Sequence, residues 1–202
     1  MYIQQRTEDG IDPELATRLL EMMSHCASVA GKNPNHAASI CRSINTTQYE
    51  SKLPLYPLIQ DWNRFTVLGG WFCNIISAMC PLAEITSVDI LARHAYIGNK
   101  LTSNVKHITN DMFIHSIDTD KILNTSTEHV DKDKLLLHFN SLPTGTVYVM
   151  QNNNMFDTTT HINCFSNLTE FEEYVSSELV IEHSFETKMK NGYTRFTIKA
   201  VR

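Results

Sequence analysis

Gly69-Gly70-Trp71, Asp89, Asp111 and Glu128-His129 are the residues whose types and spacing could do chemistry in this chain. Adjacent glycines permit a tight turn and let a ligand approach the backbone, with Trp71 next to them. Asp89 follows Gly69 by 20 residues, a separation at which a carboxylate can accept both hydrogen bonds of a ribose diol, beside Ile90. Asp111, in His107-Ile108-Thr109-Asn110-Asp111-Met112-Phe113, could accept from the exocyclic amine of an adenine ring packed on Met112 or Phe113. Each has an ordinary alternative. A Gly-Gly pair is also a plain turn, Asp89 a helix cap and Asp111 a turn residue.

Glu128-His129 sets an acid beside a base, and an imidazole titrating near neutrality suits proton removal from a nucleophile. The pair closes the polar run Asn124-Thr125-Ser126-Thr127-Glu128-His129, in which Ser126 or Thr127 could instead cap the helix that follows. Gln151-Asn152-Asn153-Asn154 offers uncharged donors and acceptors for a small polar substrate, or forms a turn tract. Arg93-His94 could meet a carboxylate or phosphate, or lie on the surface.

The elements that must position these residues alternate. Asp12-Pro13-Glu14 opens a helix with a cap, a first-turn proline and an acid; Leu15, Leu19, Met22, Met23 and Cys26 repeat at helical spacing, and Gly31 should end it. A short helix is predicted over 35–44 with Ala37, Ala38, Ile40 and Cys41 as its inner face. Residues 45–56 are polar, lead into Pro57 and read as a connection, with one helical turn at 57–62. Strands are then predicted at 65–68, 85–90, 105–109, 121–124 and 146–150. Helices follow at 71–80, 91–101, 131–140 and, capped by Asn167, 168–178. Runs 179–189 and 193–201 flank Lys190-Asn191-Gly192, a strong hairpin signal. Strand–helix alternation implies a mostly parallel sheet with helices on both faces and the hairpin on one edge. Ligands of such sheets sit at the strands' carboxyl ends, which is where the residues above fall.

Bulk properties set the class. The 202 residues are 42% hydrophobic and 19% charged, suited to one packed domain with a helical N-terminal extension at 1–55 and an α/β body at 56–202. A formal net charge of −5 supplies no general basic field for nucleic acid, so a small-molecule partner is favoured. Five scattered cysteines without a CxxC pair read as buried free thiols in a reducing compartment. Residues 1–12 lack an apolar leader segment, and no run is apolar enough to span a membrane, so a cytoplasmic protein is expected. The histidines show no ligand spacing in sequence, and no HExxH, EF-hand or GxSxG occurs, so no metal is expected. Oligomeric state is not encoded in any visible pattern.

The strand order, the glycine turn after the first strand, acids after the second and third, and the closing hairpin together resemble the class I S-adenosylmethionine-dependent methyltransferases over roughly residues 56–202. The resemblance implies a seven-stranded Rossmann-like sheet with S-adenosylmethionine as cofactor. It sets Gly69, Gly70 and Trp71 at the methionine portion, Asp89 and Ile90 at the ribose, and Asp111 and Met112 at the adenine. Asn124, at the end of the fourth strand, would also bind the cofactor, and the loop after it, from Ser126 to Glu128 and His129, would hold the methyl acceptor, joined by Gln151 and Asn152. Two departures stand out. The family's first motif opens with an acid and spreads its glycines as GxGxG, whereas Val67-Leu68-Gly69-Gly70-Trp71 has no acid and a bulky ring. The Pro-Pro-aromatic signature of amino-methylating members is absent after Asn124. A non-catalytic nucleotide-binding module and a dinucleotide or nucleotide-sugar enzyme on the same sheet type are the alternatives; calorimetry with S-adenosylmethionine, its demethylated product and NAD separates them.

Overall fold

Asp12 accepts from the Glu14 amide at 2.9 Å and starts helix α1 (Pro13–Lys32), which buries Leu15, Leu19, Met22, Cys26, Val29 and Ala30. The computed structural model describes residues 11–202; the reading of residues 1–10 as free of an apolar leader lies outside them. Gly31 does not stop α1. It needs no left-handed backbone, and the helix ends instead at Asn33, whose side chain donates to the Val29 carbonyl at 2.8 Å. Helix α2 (Ala37–Ser43) buries Ile40 and Ser43, while Ala38 and Cys41 are exposed. Ile40 and, in part, Ala37 thus face inward as expected while the other two do not, and four of the five thiols are buried, not all.

Residues 45–56 are not a bare connection. They form α3 (Thr46–Lys52) and a 3₁₀ turn (Leu53–Leu55), leading into α4 (Tyr56–Ile59). Asn45 caps α3 by accepting from the Gln48 amide at 3.0 Å. Helices this short persist only through tertiary burial, here of Leu55 and Ile59, both wholly buried.

The sheet contains β1 (Arg64–Leu68), β2 (Glu84–Asp89), β3 (Val105–Thr109), β4 (Lys121–Asn124), β5 (Val147–Asn153), β6 (Val180–Lys188) and β7 (Thr194–Val201). Its order is β3-β2-β1-β4-β5-β7-β6. The first five strands in that order are parallel, and β7 runs antiparallel to both neighbours. Alternate side chains feed two cores. Phe65, Val67, Leu123 and Val149 join α1, α4, α5 (Asn74–Met79) and α6 (Ala92–Leu101) on one face. Leu68, Ile122, Tyr148 and Met150 join α7 (Lys132–Ser141) and α8 (Leu168–Ser176) on the other. The N-terminal helices therefore share a core with the sheet. Among the described residues no helix is long and apolar enough to cross a membrane.

Two boundaries differ at the functional end. The helix expected from residue 71 begins at Asn74, because Trp71 (φ 54°) and Cys73 (φ 56°) are left-handed and extend the loop. Strand β5 continues through Gln151, Asn152 and Asn153, which pair with Thr197, Phe196 and Arg195 of β7. Asn is a poor strand former in isolation, but here the antiparallel partner holds the backbone extended.

Candidate functional site

The chain runs outward from β1 through β2 to β3, then crosses back to β4, so the strand order reverses between β1 and β4. A crevice opens at the carboxyl ends of strands at such a point. Here Gly69 leaves β1 with φ 62°, and the Ser126 hydroxyl donates to its carbonyl at 3.1 Å. A Cβ on Gly70 would come within 2.7 Å of Val67 Cγ1, so the turn is packed from below as well. Left-handed backbone recurs at Gly69, Trp71 and Cys73, the spacing of a GxGxG motif. The conformation is present, although only the first of the three positions is glycine. An L-residue held left-handed costs about 1–2 kcal/mol, and such strain gathers at ligand-facing turns.

A cleft of about 680 Å³ lies over these strand ends, and Gly69, Gly70, Trp71, Asp89, Ile90, Asp111 and Met112 all line it. Asp89 is mostly buried. Its Oδ1 accepts from the Leu91 amide at 2.9 Å, while Oδ2 lies 3.0 Å from His94 Nδ1, in ion-pair range though poorly aligned for a hydrogen bond. His94 is thus not a surface residue; it braces Asp89 and packs edge-on to Phe72. Asp111 accepts from the Phe113 amide at 3.0 Å, which fixes the turn that presents Met112 and Phe113 to the cleft.

The acceptor side is built differently from expectation. Ser126, Glu128 and His129 line the same cleft, with Glu128 and His129 in a 3₁₀ turn (Thr127–His129). Asn124 does not line it. Wholly buried, it donates to the Tyr148 hydroxyl at 3.1 Å and accepts from the Ser126 amide, so it shapes the loop instead of touching a ligand. Gln151 and Asn152 also lie beneath the surface, because the strand continues through them. Gln151 donates to the Ser51 carbonyl at 2.6 Å, and Asn152 donates to Thr127 Oγ1 at 2.8 Å and to the Asn163 carbonyl at 2.9 Å. Buried amides at this density need such partners. They clamp the Thr127–His129 turn to β5 and to residues 160–164, whose Ile162 and Asn163 amides donate to the Glu128 carbonyl.

That clamp gathers residues no motif revealed. Arg195 of β7 donates to Glu128 Oε1 at 2.8 Å, and both side chains are largely buried. Burial alone would raise the Glu128 carboxyl, but Arg195 and His129 overcome it and hold it below its ordinary value. Lys52 of α3 also reaches the cleft. Part of its stem is accessible, yet its ammonium lies amid packed atoms, and burial, aided by Arg195, pushes it down to about 8. His161 approaches edge-on to His129, ring centroids 4.7 Å apart. Glu128, His129 and His161 each offer a metal-ligating atom, all within 4.8 Å of one another. The sequence shows no ligand spacing among its histidines, and this grouping forms only in the fold. His161 stands 32 residues beyond His129 in sequence, too far for a local motif.

No protein-family model and no curated protein matches the chain. Solved structures do. The N-methyltransferase NodS from Bradyrhizobium japonicum WM9 superposes with a TM-score of 0.61 at 12% identity, over 77% of this chain and 94% of that one. Geranyl diphosphate C-methyltransferase from Streptomyces coelicolor A3(2), crystallised with Mg2+, geranyl diphosphate and S-adenosyl-L-homocysteine, gives 0.56 at 15% identity over 77% and 79%. Magnesium protoporphyrin IX methyltransferase from Synechocystis PCC 6803 with bound SAM gives 0.57 at 9% identity over 78% of each chain. The chain therefore has the fold of the class I methyltransferases.

Proposed function

We propose that this chain is an S-adenosylmethionine-dependent methyltransferase acting on a small polar acceptor. The observation that carries the reading is the convergence of Gly69, Asp89 and Asp111, from three successive parallel strands, on one cleft. The residues fit the cofactor. Asp89 keeps lone pairs toward the cleft after serving Leu91 and His94, and carboxylate acceptors match a ribose diol. Met112 and Phe113 offer apolar surface beside Asp111 for an adenine ring. The bound cofactor would supply an activated methyl group, so the protein's share is alignment and exclusion of water.

The acceptor enters beside Ser126, Glu128 and His129. His129 Nδ1 lies 2.9 Å from the Thr160 carbonyl, which assigns the proton to Nδ1 and leaves Nε2 with a free lone pair. That nitrogen is the base for an acceptor proton in the metal-free chain. Glu128 is ionised and engaged with Arg195, so it shapes the chamber and the field instead of taking the proton. Relatives of the fold that methylate small molecules support a small acceptor, as does the acidic balance of the chain.

Isothermal titration calorimetry with S-adenosylmethionine, S-adenosylhomocysteine and NAD tests the reading. The first two should bind and NAD should not. Asp89→Ala should weaken binding at least about tenfold, because a charge-assisted contact contributes roughly 1.5–3 kcal/mol. Asp89→Asn, which can still accept from Leu91, should retain the fold yet bind more weakly than the parent. Binding of NAD alone would replace this reading with a dinucleotide enzyme, and no heat with any of the three would leave a non-catalytic module.

A further inference from the structure

Glu128, His129 and His161 meet in one corner beside the cleft. Glu128 spends Oε1 on Arg195, while Oε2 is buried without any hydrogen-bond partner. A buried carboxylate oxygen left unpaired is costly, and a native one calls for an occupant. The two imidazoles are prepared alike. His129 Nδ1 meets the Thr160 carbonyl at 2.9 Å and His161 Nδ1 meets the Met155 carbonyl at 3.2 Å. A carbonyl can only accept, so each ring carries its proton on Nδ1 and presents a bare Nε2 lone pair. Donation of the far N–H to a backbone carbonyl is how metal-bound histidines are fixed in tautomer and orientation.

We infer that Glu128, His129 and His161 form a binding site for one divalent transition-metal ion of the zinc type. Two imidazoles and one carboxylate are the donor set of open, three-ligand sites. The cations nearby decide among metals. Arg195 already engages the one carboxylate, so the corner lacks the excess negative charge and oxygen donors that Ca2+ or Mg2+ requires. Imidazole ligands suit zinc and its neighbours in the first transition row. Ligand atoms in a tetrahedral zinc site stand roughly 3.4 Å apart at bonds of about 2.0–2.1 Å. The three ligand atoms already lie within 4.8 Å of one another, and His129 is exposed and His161 half-buried. The segment carrying His161 is anchored through Ile162 and Asn163 to the Glu128 carbonyl, which limits how far the third ligand can stray.

The ion's open position would face the cleft, since Glu128 and His129 line it. Its role there rests on the methyl-transfer reading: it would hold an acceptor oxygen or nitrogen and lower its pKa, taking over from the free His129 nitrogen. Binding of the ion itself does not rest on that reading.

The test is titration of chelator-treated protein, without S-adenosylmethionine, with Co2+ followed by visible absorption and with Zn2+ by calorimetry. One equivalent should bind with micromolar or tighter affinity, and Co2+ should develop the intense visible bands of a low-coordinate site. His161→Ala and His129→Ala, which remove accessible rings and should leave the circular dichroism spectrum unchanged, should each weaken binding at least about tenfold. Cys41→Ser should change nothing, removing the exposed thiol as a competing ligand. Absence of saturable binding at millimolar metal, or equal binding by parent and both histidine variants, overturns the inference. Either result leaves the cofactor titration untouched, and a failure of S-adenosylmethionine to bind leaves this titration untouched.

Discussion

Replacing Gly69 by alanine tests whether the β1 turn and the loop after β4 are held together as described. A Cβ at residue 69 would overlap Ser126 Oγ and come within 3.3 Å of Ser126 Cβ. The hydroxyl must rotate away, losing its hydrogen bond to the Gly69 carbonyl, worth about 1 kcal/mol net. The backbone would also be held at φ 62° with a side chain present, at about 1–2 kcal/mol. Gly69→Ala should therefore lose about 2–3 kcal/mol, or roughly 4–12 °C in Tm for a chain of this size. Ser126→Ala alone should lose about 1 kcal/mol, and the double variant should fall short of the sum by about that amount, because one hydrogen bond cannot be lost twice. Urea unfolding of the four proteins measures the cycle. A Gly69→Ala variant within about 0.5 kcal/mol of the parent, or a strictly additive cycle, would refute the coupling.

Cys73 is left-handed, so Cys73→Gly should be more stable than Cys73→Ala by about 1 kcal/mol, the reverse of the usual order; denaturant unfolding of the two variants decides it. Glu128→Gln should cost about 3 kcal/mol, the low end for breaking a buried pair, since Arg195 keeps slight exposure. Arg195→Met in the same background should recover part of that loss in thermal unfolding. Burial holds His107 and His138 at about 4 in the fold. Because the unfolded chain protonates them first, their contribution falls as pH drops from about 6.5 toward 4; a His107→Leu/His138→Phe variant should lose less stability than the parent over that window. Lys52, depressed to about 8, gives the opposite range: stability should rise between about pH 8 and 10.5, and Lys52→Met should flatten that rise.

Much of the architecture could be read from local chemistry. Asn191-Gly192 supplied a left-handed glycine between two alternating runs, and the apolar strands β1 to β4 stood within a residue of where their side chains suggested. What escaped was whatever depends on partners far along the chain. Residues 46–55 look polar, yet Asn45 caps them and Leu55 finds a core made by other elements. Gln151-Asn152-Asn153 resembles a turn, because only β7 and the Thr127 loop show that its amides are satisfied in a strand. That Gly69, Asp89 and Asp111 share one cleft was legible because each sits at the end of its own strand. The surroundings of Glu128 were not: Arg195, Lys52 and His161 arrive from a distant hairpin, an N-terminal helix and a loop. No spacing rule connects them to Glu128.

Strand β7 lies between β5 and β6 in the sheet, and it carries Arg195. It follows the other described strands in the chain, yet it fills an interior slot. Until it inserts, β5 exposes an open edge, β6 has no neighbour, and Glu128 has no guanidinium beside it. Closure of the sheet between β5 and β6 and the pairing of Glu128 with Arg195 therefore depend on the same strand.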